Sequence, residues 1–211
     1  MAENYQLKLD KEIERLTAEG RRPRLLLHVC CAPCSSYVME YLSHHFDITA
    51  CFYNPNISPK SEYDYRAQEL VRLTQEMPLS SPVHCRIEDY HPSDFIAIAK
   101  GLENEPEGGE RCTACYRLRL TETAKIAAAE KYDYFTTTLS ISPLKDAVRL
   151  NTIGGELAEE YGIPYLYSDF KKREGYKRSI RLSSEFDLYR QDYCGCAFSK
   201  AEAERRKESK K

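Results

Sequence analysis

Residues 25–36 read LLLHVCCAPCSS, an apolar run followed by three cysteines within five positions around a proline. An apolar run of this kind is typical of a strand that is buried on both faces of a parallel sheet. Ser35 or Ser36 can cap a helix that begins at Tyr37. Ligands bind where such a strand ends and a helix begins, and the helix dipole favours thiolates there. The stretch therefore predicts thiol chemistry at the end of the first strand.

The amino-acid composition indicates what kind of protein this is. The chain has 211 residues, of which 42% are apolar and 30% charged, as expected for one soluble α/β domain. It contains no run as long as a membrane span, and its N-terminus is too polar for a signal peptide, which predicts a cytoplasmic protein. Nine cysteines in such a chain favour metal binding or catalysis over a disulfide framework. A net charge of −2 predicts no general attraction to nucleic acid, so RNA binding needs a local basic patch.

Periodicity predicts alternating helices and strands, and hence a mainly parallel five-stranded sheet with helices on both faces. A helical extension follows at the C-terminus, within one domain over residues 1–198 that includes a basic segment, 169–198. Residues 199–211 are charged on all sides and are predicted to be a flexible tail. The predicted strands are 25–29, 46–53, 83–87, 134–139 and 163–167, and the main helices are 5–19, 36–45, 61–77, 111–129 and 143–161.

Seven of the cysteines fall into three clusters, Cys30/Cys31/Cys34, Cys112/Cys115 and Cys194/Cys196. Cys112 and Cys115 stand at the head of a helix with a spacing that lets both sulfurs approach one metal. A redox-active pair of the thioredoxin type is the alternative, but three thiols already follow an earlier strand. Soft ligands from two loops favour zinc or an iron–sulfur cluster, and ligand count does not separate these two. Cys51 and Cys85 lie inside predicted strands and are interpreted as buried apolar residues.

The pair Cys194 and Cys196 has two interpretations. A disulfide between residues two positions apart closes a small ring and is easily reduced, which suits a reversible electron store. The alternative is that both are further metal ligands.

A basic stretch precedes this pair. Six cations face one acid, Glu174, across residues 171–181, and Tyr176 lies among them. Cations beside a stacking aromatic favour contact with an RNA backbone and an extruded base, whereas a solvated surface is the alternative. The predicted tRNA-binding residues are Lys171, Lys172, Arg173, Tyr176, Lys177, Arg178 and Arg181.

Three motifs together resemble the QueH family of cobalamin-independent epoxyqueuosine reductases. They are CCAPCSS at 30–36, RCxxC at 111–115, and the block DFKKREGYKRSIRLSSEFDLYRQDYCGCAFS at 169–199. The resemblance implies a fold related to the adenine-nucleotide hydrolase and PP-loop group, which is HUP-like. The thiol loop, residues 30–34, would occupy the position of a phosphate loop. Cys30-Cys31-Ala-Pro replaces the glycines that would cradle phosphate, so we predict no ATP hydrolysis.

The resemblance also implies the activity and its cofactor. The activity is removal of the epoxide oxygen of epoxyqueuosine at the wobble position of tRNA, which gives queuosine. Cys194 and Cys196 would form a redox-active pair, and Cys34 occupies a position where an aspartate in some relatives suggests a ligand for an additional iron ion. The [4Fe–4S] cluster would be held by Cys30, Cys31, Cys112 and Cys115.

Reduction of an epoxide to an alkene and water takes two electrons and two protons. Since a cluster transfers one electron at a time, a nearby dithiol or second iron would be useful, and an open iron position could bind the oxygen. The electron donor is not identified by the sequence, and Tyr193, Tyr176 and Asp146 are candidate proton donors. No membrane or DNA partner is expected. The alternatives are an iron–sulfur-dependent tRNA sulfur-insertion enzyme, which would need ATP, and a non-enzymatic, zinc-stabilised RNA-binding module.

Overall fold

Four strands form one parallel sheet in the computed structural model, which describes residues 3–209. The strands are β1 (Arg24–His28), β2 (Asp47–Phe52), β3 (His84–Ile87) and β4 (Tyr134–Thr137), in the order β3-β2-β1-β4. In the register of the sheet, Leu26 lies opposite Thr49 on β2 and Phe135 on β4. The chain runs outward from β1 to β3 and then returns to the other side of β1. The strand order therefore reverses between β1 and β4, the place where open α/β sheets bind ligands.

Helices cover both faces of this sheet. Since side chains alternate along a strand, Leu25 and Leu27 pack in one apolar cluster with residues of α1, α2, α3 and α7, whereas Leu26 packs in a second with α5 and α6. Among residues 3–209, no helix combines the length and the apolar character that a membrane crossing requires. The helices are α1 (Tyr5–Ala18), α2 (Ala32–Leu42), α3 (Lys60–Glu76), α4 (Pro92–Ala99), α5 (Glu110–Ala129), α6 (Ala147–Tyr161), α7 (Gly175–Glu185) and α8 (Ala197–Glu208).

The predicted α/β fold is confirmed, but the prediction of five strands is wrong. Residues 163–167, expected as the fifth strand, meet β4 in a single parallel bridge between Phe135 and Tyr165. Pro164 has no N–H to donate, so its only backbone contribution is the carbonyl that accepts from Phe135 N at 3.1 Å. Leu166 N–H donates to the carbonyl of Phe135 at 2.9 Å, but the carbonyl of Leu166 accepts from the hydroxyl of Thr136 on β4 at 2.8 Å rather than from a backbone N–H.

The thiol loop is itself the first turn of a helix, which corrects the predicted helix start at Tyr37. Cys31 is the residue before α2, and Pro33 occupies its first turn, where a missing N–H costs nothing. Ser35 and Ser36 do not cap the helix, because their hydroxyls donate to the carbonyls of Cys31 and Pro33. The three thiols therefore lie directly at the positive end of the helix dipole.

The segment expected as a flexible tail is mostly helical. Residues 199–208 belong to α8, and Ser199 and Ala203 are buried. Glu202 accepts from the backbone N–H of Glu107 at 3.0 Å, which ties the helix to a segment far away in sequence. Lys207 pairs with Asp192, just before the helix, at 2.6 Å. Composition alone did not reveal the contact with Glu107. Residues 210–211 lie outside the described residues.

His28 at the end of β1 makes folding sensitive to acid. It is fully buried, with Nδ1 2.8 Å from the hydroxyl of Thr137 and Nε2 3.2 Å from the carbonyl of Tyr53. Burial, with a contribution from the positive charge of Arg119, lowers its pKa from 6.5 to about 3. The unfolded chain therefore binds a proton that the folded chain does not, and stability falls as the pH drops below the unfolded value.

We expect this single group to destabilise the fold by about 2 kcal/mol between about pH 7.5 and about pH 5. His28→Gln is expected to lose that part of the pH dependence. The measurement is the free energy of unfolding in urea for both proteins at the two pH values. If both proteins lose equal stability on acidification, His28 is not the responsible group.

Candidate metal centre

The thiol loop lies where the strand order reverses. Cys30 follows β1, and its sulfur is 3.7 Å from the hydroxyl of Thr138, which follows β4. Asn54, in the loop after β2, donates from its side chain to the carbonyl of Val29 at 2.9 Å. Residues at the ends of three adjacent strands, β1, β2 and β4, therefore fix the position of Cys30. The contacts from β2 and β4 are made by the side chains of Asn54 and Thr138.

Three sulfurs converge in this loop. The Sγ atoms of Cys30, Cys31 and Cys34 all lie within 4.8 Å of one another, and those of Cys30 and Cys31 are 3.9 Å apart. In a tetrahedral site with metal–sulfur bonds of about 2.3 Å, neighbouring sulfurs are about 3.8 Å apart. The three thiols could therefore hold one metal ion and leave its fourth position open.

Ionisation of the three thiols is unequal. Hydrogen bonds from Cys31 and Cys34 hold the pKa of the Cys30 thiol well below its ordinary value, although burial opposes this. The pKa values of Cys31 and Cys34 are raised, first because each thiol is hydrogen-bonded to Cys30. Of the three, Cys30 therefore loses its proton most readily, and metal binding to all three as thiolates would release protons.

A second group of four thiols forms around α5 and the start of α8. Cys112 and Cys115 lie in the first turns of α5, and together with Cys194 and Cys196 they line a small cavity. Its volume is about 10 Å³, room for about one water molecule. Unlike the sulfurs of the thiol loop, the sulfurs around this cavity do not form a group of three within 4.8 Å of one another among residues 3–209. Burial raises the pKa of Cys115 to about 12. We refer to this space as the small cavity.

The two groups of thiols adjoin. A large cavity of about 350 Å³ is lined by Cys30, Cys31 and Cys34, and Cys194 lines both cavities. The structure therefore brings all three sequence clusters to one edge of the sheet. All nine cysteines are free thiols, and the remaining two lie apart: Cys51 is in the core, and the sulfur of Cys85 is 3.3 Å from the hydroxyl of Thr74.

Buried cations accompany the thiols. Arg119 is 1% exposed, lines the small cavity, and its Nη2 has no hydrogen-bond partner. Burial alone would lower the pKa of this guanidinium, yet its pKa is raised because Cys115, Cys194 and Cys30 lie around it. A buried cation is stable only beside anions, so the arrangement suits thiolates or a negatively charged metal group. Sequence reasoning missed Arg119; its signal is the spacing of four from Cys115 on one helix face.

The Cys194–Cys196 segment is held in a defined conformation. Arg66, 2% exposed, donates from Nη1 to the carbonyl of Cys194 at 3.2 Å, and Ser58 N–H donates to the carbonyl of Gly195 at 3.0 Å. Gly195 has φ +118°, in the region that favours glycine, and a Cβ there would meet Arg66 Nη1 at 2.9 Å. The spacer between the two cysteines therefore has to be glycine.

The three candidate proton donors lie in different settings. Tyr193 lines the large cavity with Arg66 against its ring, 5.3 Å from the ring centre. Tyr176 also lines this cavity, and the guanidinium of Arg190 lies 5.5 Å from its ring centre. Asp146 instead caps α6, accepting from two backbone N–H groups in its first turn. Its carboxylate therefore has a structural role in the helix.

The basic stretch is largely neutralised by ion pairs. Lys172 and Arg181 are exposed and have no ion pair among residues 3–209. Of the predicted tRNA-binding set, only Tyr176 lines the large cavity. The paired cations are Lys171 with Asp169, Arg173 with Asp10, Lys177 with Glu174, and Arg178 with Glu40 and Glu185.

Comparison with known proteins identifies relatives along nearly the whole chain. The family described as epoxyqueuosine reductase QueH matches residues 25–202. A Staphylococcus epidermidis protein named epoxyqueuosine reductase QueH is 44% identical over 200 residues, covering 93% of this chain and 84% of that protein. Proteins of the same name from Streptococcus pyogenes and Thermotoga maritima are 41% and 34% identical, covering 94% and 83% of this chain and 80% and 89% of theirs.

Proposed function

The chain belongs to the epoxyqueuosine reductase QueH family, and we propose on that basis that it reduces epoxyqueuosine at the wobble position of tRNA to queuosine. The reaction breaks the two C–O bonds of an epoxide, forms a C=C bond, takes up two electrons and two protons, and releases water. The observation that carries the proposal is the convergence of seven thiols beside a 350 Å³ cavity at the reversal of strand order. Neither sulfur insertion nor a zinc-stabilised RNA-binding module is the activity for which the relatives are named.

We propose that the site holds iron in two parts. The short sulfur separations support a single iron ion on Cys30, Cys31 and Cys34. A [4Fe–4S] cluster with four thiolates is negatively charged, which suits the guanidinium of Arg119, whose Nη2 has no hydrogen-bond partner beside the small cavity. Iron bound in this way would supply one-electron transfer and a Lewis acid for the epoxide oxygen. The proposed cluster ligands are Cys112, Cys115, Cys194 and Cys196.

The division implied by family resemblance is the second proposal for these thiols. In this division the cluster is held by Cys30, Cys31, Cys112 and Cys115. Cys194 and Cys196 then remain as a dithiol. Oxidation of two thiols to a disulfide yields two electrons and two protons, which balances reduction of one epoxide. The position of Cys194 between the two cavities is compatible with either role, so the roles are separated by experiment below.

The large cavity has the groups needed to receive a nucleoside. Tyr176 and Arg190 supply a stacking pair on one wall, as proteins that bind extruded bases commonly do. Arg66 and Tyr193 lie beside Cys194 on the same cavity. We infer that the modified base enters this cavity, while the anticodon backbone contacts exposed cations outside it. The HUP-like ancestry and the lack of ATP hydrolysis stay predictions.

The function is tested with anaerobically purified protein and tRNA that carries epoxyqueuosine. Dithionite serves as reductant, and the digested nucleosides are identified by mass spectrometry. Loss of one oxygen atom from the nucleoside supports the proposal. Gain of sulfur would favour the sulfur-insertion enzyme, and a protein that contains zinc without iron or acid-labile sulfide would favour the binding module.

Charge reversal of the two unpaired cations tests the tRNA surface. The double variant Lys172→Glu, Arg181→Glu is expected to weaken tRNA binding about tenfold and to reduce the slope of log affinity against log salt by about 2. Lys125→Glu on α5, an exposed lysine outside the basic stretch whose ion pair with Glu122 is long at 3.8 Å, is the control. The measurement is tRNA affinity at several salt concentrations. Unchanged affinity and slope would mean that these cations form only a solvated surface.

A further inference from the structure

Lys145 is a buried cation in the wall of the large cavity. It is 8% exposed and follows β4 in a turn, where its N–H donates to the carbonyl of Ser142 at 3.1 Å. Cys30, Cys31 and Cys194 line the same cavity. A lysine is rarely buried to this extent unless it is paired, so its surroundings indicate what the ammonium does.

Its ammonium is incompletely paired. Among residues 3–209, the only partner of Nζ is Glu107 Oε1 at 3.4 Å, which is long for a hydrogen bond. An ammonium has three donors, so it retains donors for a ligand in the cavity. Burial alone would lower the pKa of Lys145, but Cys194, Tyr116 and Glu107 raise it above its ordinary value.

Of the other candidates, Asp146 caps α6, whereas Tyr193 and Tyr176 line the cavity but carry no positive charge. Arg66 and Arg190 are cations on the same cavity, but a guanidinium does not give up its proton. Arg66 is in addition held by Glu62 and by the carbonyl of Cys194. Negative charge develops on the oxygen when an epoxide opens, and a preorganised cationic donor in a site with little water stabilises that charge strongly.

We propose that Lys145 is a catalytic residue that hydrogen-bonds the epoxide oxygen and protonates it as the ring opens. This inference rests on the proposed function. Two C–O bonds break, a C=C bond forms, and two electrons come from the reductant. The oxygen leaves as water with one proton from Lys145 and one from solvent, and solvent then restores the proton on Lys145. Glu107, beside the ammonium, keeps the charge balanced between turnovers.

The test compares Lys145→Met and Lys145→Arg with Lys125→Met, an exposed lysine outside the site. Single-turnover rates are measured at saturating epoxyqueuosine-tRNA with dithionite, together with bound iron and tRNA affinity. We expect Lys145→Met to slow the reaction by about 10²–10³-fold, with iron content and affinity unchanged. Lys145→Arg is expected to recover part of the rate, and Lys125→Met to match the wild type.

Chemical rescue separates a donor from a structural residue. Lys145→Ala is expected to regain rate as ethylammonium is added, whereas the wild-type rate does not rise. The proposal is overturned if Lys145→Met reacts within about threefold of the wild type, well short of the loss expected for a missing proton donor. It is also overturned if the loss follows from lost iron or weaker tRNA binding, or if ethylammonium restores nothing. An inactive wild type would instead overturn the proposed function.

Discussion

Cys115→Ala is expected to remove the visible absorption of the iron–sulfur cluster and to reduce turnover below detection. Both proposed divisions of the thiols place Cys115 on the cluster, and a lost thiolate leaves one iron without its ligand. The side chain is buried at the small cavity beside Arg119, so water cannot readily replace it. The measurements are the visible spectrum, iron and sulfide per chain, and conversion of epoxyqueuosine-tRNA.

Cys85→Ala is the matched control for that experiment. Cys85 is half-buried on β3, and its sulfur lies beside Thr74, away from both cavities. It is expected to keep the wild-type spectrum, iron content and rate. If Cys115→Ala also keeps its spectrum, Cys115 is not a ligand and the proposed cluster is wrong.

Cys194→Ser is expected to lose the cluster absorption and turnover together. Cys194 lines the small cavity with three other thiols, so the division that we propose makes it a ligand. Hydroxyl is a poor substitute for a thiolate on iron. The spectrum and the iron content are measured beside the single-turnover rate, and Cys196→Ser is expected to behave alike. A variant that keeps its iron but does not turn over would support the redox-active dithiol instead.

Local patterns predicted the parts of the site that depend on neighbouring residues. The run 25–29 specified a buried strand, and the cysteines after it had to lie at the carboxyl edge of the sheet. Cys112 and Cys115 were expected at a helix head, and they lie in the first turns of α5. In both cases the cysteines lie a few positions from the strand end or helix start that places them, so local backbone geometry determines their position.

Errors arose where distant contacts decide the structure. Pro164 cannot donate to a ladder, so the expected fifth strand is reduced to one bridge with β4. The charged tail forms α8, a run of strong helix formers in which Ser199 and Ala203 are buried and Glu202 accepts from the backbone N–H of Glu107. Composition carries no record of the Glu107 contact, so a charged segment was interpreted as flexible.

The amino-acid sequence by itself determined the α/β class, the thiol-rich strand end and the family, since each depends on residue order along short segments. Only the tertiary structure decided which thiols are neighbours, that Arg119 Nη2 lacks a partner beside the small cavity, and that Lys145 lines the large one. The reason is physical. Cys30 and Cys194 are separated by most of the chain, and the packing of helices on the two faces of the sheet brings them to one cavity.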